Sequence, residues 1–540
     1  MVEENKSYFE SLYLEKEQIG KSIKIPHYDG KHYLINGKLI EWKGRFSPVY
    51  SPVYEKGTDK RIVLGQYPML TDKEAVEAVQ AAEKAFDNGR GLWPCMTVKD
   101  RIFHVTKFLA RLKEIKDTIV ELLMWEICKT KADAQKEVDR TIKYVYDTIS
   151  ELKSLENRQS TFINDTGIVT QIRRAPLGTV LCLGPFNYPF NETYTTLIPA
   201  LIMGNTVVMK LPRVGVLCHM PTLQIFQEIF PPGVINIVSG SGRETMPAIM
   251  KTGKIDVFAF IGTSKAADDL QKSHPKPHRL RICLGLEAKN PAIIMEDADL
   301  SVAVSECVSG TLSYNGQRCT ALKILFVHQS ISDKFVEEFV NAVDNLKMGL
   351  PWEEGTKITP LPEEGKPGYL KELIDDALAK GAKIINKRGG NIDRTFVAPT
   401  ILYPVSENMR IYHEEQFGPV IPIRSFGKME EIFHYLATSP YGQQASIFGK
   451  DFEKISDLID VLVNQVSRVN LNAQCQRGPD TLPFTGRKDS SYGTLSVGDA
   501  LRVFSIRALV ATKEDATNEE ILSQIVAKRR SHFLRTDFLF

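Results

Sequence analysis

Apolar residues recur along this chain with two different periods. Between residues 71 and 152 the period is helical. Thr71-x-x-Glu74 is a capping box, Val76, Val79, Ala82 and Phe86 follow at helical spacing, and Asn88-Gly89 stops the run. Two longer helices are predicted at about 98–130, with breaks, and at 132–152. From Gly178 the pattern changes to short continuous apolar runs at 180–183, 206–209, 234–238 and 257–261, separated by helix-length segments. Apolar strands alternating with helices predict a parallel sheet covered on both faces. Ligands of such sheets bind beyond the carboxyl ends of the strands, so Asn187, Lys210, Gly240 and Gly262 are expected at one rim. A second strand–helix series starts at Pro291-Ala292-Ile293-Ile294-Met295 and runs to about Pro483.

The flanks carry weaker patterns. Residues 1–32 read as a polar lead-in, and Tyr33-Leu34-Ile35 followed by Asn36-Gly37 reads as a strand and tight turn. Phe162, Ile163, Ile168 and Ile172 alternate within 157–173, which predicts a protruding hairpin. A hinge is expected at 284–290, between a first α/β unit at 33–283 and a second at 284–483. Beyond a stretch at 484–512, residues 513–540 form a tail. Thr517-x-x-Glu520 is expected to cap a helix over 521–530, and the apolar end Phe538-Leu539-Phe540 to dock on its own protein or on a neighbouring subunit.

Composition narrows the function classes. A chain of 540 residues exceeds a single hydrophobic core, and 43% hydrophobic with 25% charged residues fits a globular protein. A formal net charge of +2 offers no electrostatic case for nucleic acid or a membrane surface as partner. No apolar run is long enough to span a bilayer. No metal is expected, because C-x-x-C and H-E-x-x-H are absent and His274 and His278 flank two prolines. The start Met1-Val2-Glu3-Glu4-Asn5-Lys6 lacks the apolar region of a secretory signal, and eight cysteines without a framework pattern suit a reducing compartment. The expected location is cytoplasmic.

Cys319 stands apart from the other cysteines. It follows Arg318 in Asn315-Gly316-Gln317-Arg318-Cys319-Thr320, where a cation can favour the thiolate. Cys95, Cys128, Cys182, Cys218, Cys283 and Cys307 sit in mostly apolar sequence, and Cys475 in a polar loop. Upstream of Cys319 lies Gly184-Pro185-Phe186-Asn187-Tyr188-Pro189, and downstream Glu414-Glu415-Gln416-Phe417-Gly418-Pro419. A thiol, an amide donor for an oxyanion and an acid for a ribose are the parts of a covalent aldehyde oxidation through a thiohemiacetal and a thioester. In this order and spacing the three motifs resemble the aldehyde dehydrogenase superfamily over about residues 33–512. The resemblance implies a Rossmann-like cofactor domain, a second α/β catalytic domain and a small oligomerisation arm built from the hairpin and a strand near 501–512. It also implies a homodimer or homotetramer.

Further motifs carry the resemblance into the cofactor and substrate sites. Gly240-Ser241-Gly242 follows a strand and opens a helix, although Thr245 stands where a third glycine would complete the dinucleotide fingerprint. Phe260-Ile261-Gly262-Thr263-Ser264 is similar to a family segment that meets a pyrophosphate with a hydroxyl and helix N-terminal amides, which implies that role for Thr263. In Met209-Lys210-Leu211-Pro212-Arg213, Lys210 is implied at the adenosine ribose. Arg213 replaces the acid of NAD-preferring relatives and tilts the choice to NADP, with NAD as the alternative. Glu415 is implied at the nicotinamide ribose and Phe417 beside the nicotinamide. The run Arg477-Gly478-Pro479-Asp480 through Lys488-Asp489-Ser490 resembles the non-phosphorylating, NADP-dependent glyceraldehyde-3-phosphate dehydrogenases. By that resemblance Arg140, Tyr188, Arg318 and Arg477 bind the phosphate of a small phosphorylated aldehyde.

One departure stands out. The family's general base lies in a segment matched here by Leu284-Gly285-Leu286-Glu287-Ala288-Lys289, and Gly285 takes the base's place. In an extended chain positions i and i+2 share a side, so Glu287 can enter the same cavity displaced by about 6–7 Å. Three functions remain open on sequence alone: oxidation of glyceraldehyde 3-phosphate to 3-phosphoglycerate, transfer of the acyl group to another acceptor such as coenzyme A, and a catalytically silent binding protein.

Overall fold

The structure is a computed structural model that describes residues 2–19, 21 and 23–540, with side chains described from residue 7. Met1, Gly20 and Ser22 of the expected lead-in lie outside the described residues. Five parallel strands form the centre of an eight-stranded sheet, in the order Arg281–Gly285, Val257–Ile261, Thr179–Leu183, Thr206–Lys210, Ile235–Val238. The first of these in the chain, Thr179–Leu183, is fully buried and lies between the second and the fourth, so the strand order reverses beside it. That is where an open α/β sheet leaves a crevice for a ligand. The hairpin His32–Ile35 and Lys38–Glu41, turned by Asn36 and Gly37 at positive φ, extends one edge, and Ser491–Tyr492 pairs with the other.

The expected hinge is partly strand. Leu284 and Gly285 end the last parallel strand, because their backbone pairs with Phe260 and Ile261. Asn290–Ile294 then begins a second sheet of seven strands, whose six parallel members run Thr400–Tyr403, Val420–Phe426, Leu322–His328, Asn290–Ile294, Gln444–Phe448, Arg468–Leu471. Only Leu286-Glu287-Ala288-Lys289 bridges the two sheets in this part of the chain.

Helices cover the sheets. The capping box forms as expected: Thr71 accepts from the Lys73 amide, the Glu74 carboxylate accepts from the Thr71 amide at 2.9 Å, and the helix Asp72–Phe86 ends in left-handed residues at Asp87 and Asn88. The expected helix at 132–152 runs further, as Lys131–Arg158, because its apolar stripe continues through the buried Leu155. The hairpin Ile163–Asp165 and Ile168–Pro176 pairs antiparallel with Ser505–Lys513, leaving Ile163, Ile168, Ile506, Leu509 and Val510 exposed.

Both termini fold back. The lead-in is less polar in effect than its composition: it begins with the helix Val2–Ser11, and Phe9, Tyr13 and Leu14 are buried, with Tyr13 hydrogen-bonded to the Asp393 carbonyl at 2.8 Å. In the tail the helix is Ala516–Ala527, and its cap is Asp515 rather than Thr517, since the Asp515 carboxylate accepts from Asn518 N–H at 2.9 Å. The last residues dock on the same chain. Asn157 exchanges two hydrogen bonds with the Leu539 backbone, and Arg535 joins Arg173 around the buried Glu156 carboxylate. No helix of the described residues is long and apolar enough to cross a membrane.

Candidate active site

A cavity of about 1080 Å³ opens where the two sheets meet. Its lining brings together Cys319, Asn187, Gly262, Thr263, Glu287, Glu415, Phe417, Arg140, Tyr188, Arg318 and Arg477, residues drawn from nearly every part of the chain. Lys210, Arg213 and Gly240 lie outside this lining, beyond the carboxyl ends of the adjoining strands Thr206–Lys210 and Ile235–Val238.

Cys319 is presented by a strained turn. Tyr314, Asn315 and Gly316 all have positive φ, at 50°, 56° and 72°. For the two that are not glycine this costs about 1–3 kcal/mol each, so the surroundings must enforce it. They do: Tyr314 hydroxyl donates to the Ile127 carbonyl at 2.9 Å, and Asn315 exchanges hydrogen bonds with the Thr359 backbone at 3.0 Å each way. A Cβ on Gly316 would lie 2.7 Å from the Thr311 carbonyl oxygen, so no other residue fits. The Cys319 carbonyl is held by Asn290 Nδ2 at 2.8 Å.

The charge beside the thiol differs from expectation. Burial pushes the Cys319 thiol up, and among the groups that pull it back Lys323 acts more strongly than Arg318. One nitrogen of Arg318 is engaged elsewhere: its Nη2 donates to the Gly310 carbonyl at 3.0 Å and the Ser309 carbonyl at 3.3 Å. Lys323 is almost fully buried, pairs with Glu415 and also reaches the Cys319 carbonyl at 3.3 Å. Gln443, 3% exposed, contributes a side-chain hydrogen bond that also lowers the thiol. Neither Lys323 nor Gln443 was expected from the motifs, though a lysine inside the apolar run at 321–327 was a visible anomaly.

Asn187 lies just before the helix Pro189–Ile202, and one of its Nδ2 hydrogens goes to the Gln317 carbonyl at 2.8 Å. A carboxamide has two such hydrogens, so one remains for an oxyanion above Cys319. The start of this helix is fixed from below. Glu137 accepts from Phe190 and Asn191 N–H at 3.0 and 3.1 Å while pairing with the buried Lys129, whose ammonium lies 3.2 Å from the Tyr188 ring centre. Glu415 is set by Ala288 N–H at 3.0 Å and by Lys323, and the loop before it by Lys289, which donates at 2.7 Å to both the Glu414 carbonyl and Gln416 Oε1. Phe417 meets Phe186 edge to face at 5.8 Å.

The carboxylates decide what the cavity can do. Glu192 pairs with Arg477, Asp480 with Arg140 through two 2.7 Å bonds, Glu415 with Lys323, and Glu414 with Arg410. Glu287 instead holds only neutral donors. Its oxygens accept from Ser264 N–H at 2.9 and 3.1 Å, at the start of the helix Ser264–Ser273 that Thr263 caps. Gly285 leaves room beside it: an added Cβ would stand 3.4 Å from the Ile261 side chain, an ordinary contact.

The rim beyond the strand Thr206–Lys210 carries two cations, Lys210 and Arg213. Lys210 is nearly buried, and burial together with Arg213 pulls its ammonium down to about 8. Two cations close enough to repel, with no ion pair to either among the described residues, fit an anionic group, as a ribose 2′-phosphate would supply. Gly240 has a structural reason of its own, φ of 106° and a Cβ that would meet the Leu70 carbonyl at 2.5 Å. Two cysteines differ from their sequence context: Cys95 is exposed, and Cys475 is buried against Ser446 at 3.3 Å.

The model of the aldehyde dehydrogenase family matches residues 47–508. The chain is similar to an NADP-dependent glyceraldehyde-3-phosphate dehydrogenase of Streptococcus equinus, 34% identical over 494 residues, covering 89% of this chain and 97% of the relative. It is similar also to the protein so named from Pisum sativum, 30% identical over 478 residues, covering 86% and 92%. Among solved structures, that of NADP-dependent glyceraldehyde-3-phosphate dehydrogenase from Bacillus halodurans C-125 complexed with NADP superimposes with a TM-score of 0.83 at 31% identity, covering 90% of this chain and 100% of that one. The chain belongs to the aldehyde dehydrogenase family.

Proposed function

We propose that this enzyme oxidises glyceraldehyde 3-phosphate to 3-phosphoglycerate with NADP. The observation that carries the reading is one cavity shared by Cys319, Asn187, Glu415 and three arginines, beside a rim where Lys210 and Arg213 have no counter-ion among the described residues. The relatives named for this reaction support it.

The chain's own residues perform most of the work. Cys319, once deprotonated, attacks the aldehyde carbon, and the free Nδ2–H of Asn187 with the Cys319 backbone N–H receives the oxyanion. Bound NADP supplies the hydride acceptor that lets the thiohemiacetal become a thioester. Glu415 would hold its nicotinamide ribose, Lys210 its adenosine ribose and, with Arg213, the 2′-phosphate that ribose bears, and Thr263 with the following amides its pyrophosphate. Water then releases the acid. Glu287 takes that water's proton once it leaves the Ser264 amide, since most other carboxylates of the cavity are bound to an ammonium or guanidinium. Arg140, Arg318, Arg477 and Tyr188 surround the substrate phosphate. A homodimer or homotetramer would cover the exposed apolar residues of the arm, and eight free cysteines support a cytoplasmic location.

The test is a panel of phosphorylated and unphosphorylated aldehydes with NADP and NAD, run on the parent and on Cys319→Ser. Glyceraldehyde 3-phosphate with NADP is expected to give the highest kcat/KM, and Cys319→Ser to abolish oxidation while retaining cofactor. Better turnover of an unphosphorylated aldehyde, or NADPH formation only with added coenzyme A, would overturn the substrate or the acceptor.

A further inference from the structure

Glu126 is the last residue of the helix Lys116–Glu126, and its side chain is buried, 2% exposed. Both facts count against a charge there. A carboxylate at a helix C-terminus faces the negative end of the helix dipole, and burial removes its water. Among the described residues no cation pairs with it. Instead Gly215 N–H donates to one oxygen at 2.7 Å, Val216 N–H to the same oxygen at 2.8 Å and Leu217 N–H to the other at 2.8 Å. Burial pushes this carboxyl up to about 7, and the three N–H groups pull against that.

The clamped amides belong to a functional loop. It leaves the strand Thr206–Lys210 at Lys210, carries Arg213, and continues into the short turn Leu217–His219. Gly215 has φ of 79°, and a Cβ there would lie 2.7 Å from the Pro189 ring, so the loop also rests on the first residue of the helix that follows Asn187. The two cations are therefore fixed at one end by the sheet and at the other by Glu126. Left to themselves they would separate, because like charges with no anion between them repel.

We infer that Glu126 is a positioning residue for the cofactor's phosphate-bearing ribose: its buried carboxylate holds the 211–217 loop so that Lys210 and Arg213 converge on one anion before the anion arrives. This rests on the NADP reading above. The benefit is preorganisation, since a loop already ordered need not be ordered by the ligand.

Glu126→Gln tests it at constant volume. A carboxamide keeps one acceptor oxygen and turns an NH₂ toward the remaining loop N–H, which breaks the clamp without emptying the site. Dissociation constants for NADP and for 2′-AMP are expected to rise about fivefold or more, while kcat at saturating NADP and KM for the aldehyde stay within about twofold. A fall in Tm with both dissociation constants unchanged would reduce Glu126 to a structural residue and overturn the inference. Should the parent bind neither NADP nor 2′-AMP, the cofactor reading fails and this inference with it. If the variant does not fold, amide exchange on the parent decides: protection of Gly215, Val216 and Leu217 is expected at core levels with or without NADP. Loop-like exchange that slows only when NADP is added would overturn the clamp.

Discussion

The two cationic clusters of this enzyme are built on opposite principles. At the rim beyond the strand Thr206–Lys210, Lys210 and Arg213 repel each other with no ion pair to either among the described residues, and the loop that carries Arg213 is fixed by a carboxylate that accepts from three backbone N–H groups. In the cavity around Cys319, Arg140 and Arg477 are balanced within the protein by Asp480 and Glu192, and Nη2 of Arg318 is held by main-chain carbonyls. An unbalanced pair has little to give up when an anion arrives. Balanced arginines must share or exchange a partner, so their preference for a phosphate reflects a difference between two ion pairs. The rim should therefore set affinity, and the cavity should discriminate more gently.

The largest effect should come from Glu287, whose carboxylate holds only the Ser264 donors. Glu287→Gln is expected to leave the first hydride transfer intact and slow deacylation by about 10²–10⁴-fold, seen as a burst of NADPH followed by a slow steady state. Gly285→Glu in that background should recover turnover, because the position accepts a side chain. A Glu287→Gln enzyme that turns over like the parent would remove Glu287 from the chemistry.

At the rim, Arg213→Ala should weaken NADP by about 1.5–3 kcal/mol, roughly 10- to 150-fold, and leave NAD nearly unchanged. Equal loss for both cofactors in a titration would show that Arg213 shapes the loop rather than reading the phosphate. The matching change in the cavity is Arg140→Leu, which leaves Asp480 with Arg477 at 3.5 Å. KM for the phosphorylated aldehyde should rise by a few-fold to about tenfold, with little change for an unphosphorylated analogue. If Arg140→Leu exceeded Arg213→Ala, the contrast between the two clusters would be wrong.

The smallest effect is one of pH. The Lys210 ammonium is lowered to about 8, so it is charged and binds an anion below that value and is lost as pH rises through it. NADP affinity should fall by up to about tenfold between pH 7 and 9, and affinity for a cofactor lacking the 2′-phosphate should fall less. A pH-independent dissociation constant for NADP would mean that Lys210 does not face the phosphate.

Periodicity alone located most of the architecture. The apolar runs of the first sheet, the capping box at Thr71 and the alternating hairpin are local patterns, and local patterns survive in sequence. The boundary at 284–290 was blurred because a short strand ending in glycine reads like a linker. Residues 1–32 read as a polar lead-in because Phe9, Tyr13 and Leu14 are three apolar residues among many polar ones, and their burial depends on Phe396 and Tyr54 far along the chain.

By itself the sequence determined the order of elements, singled out Cys319, Asn187 and Glu415 as candidates, and put a glycine at position 285. These are matters of residue type and spacing. Only the tertiary structure decided which charges oppose one another: that Lys323 rather than Arg318 bears more strongly on the Cys319 thiol, that Asp480 and Glu192 occupy two of the arginines, that Glu287 rests on the Ser264 amide, and that Glu126 holds the 211–217 loop. Ion pairs between residues hundreds of positions apart leave no periodic trace, and their strength depends on burial and on a few ångströms of separation.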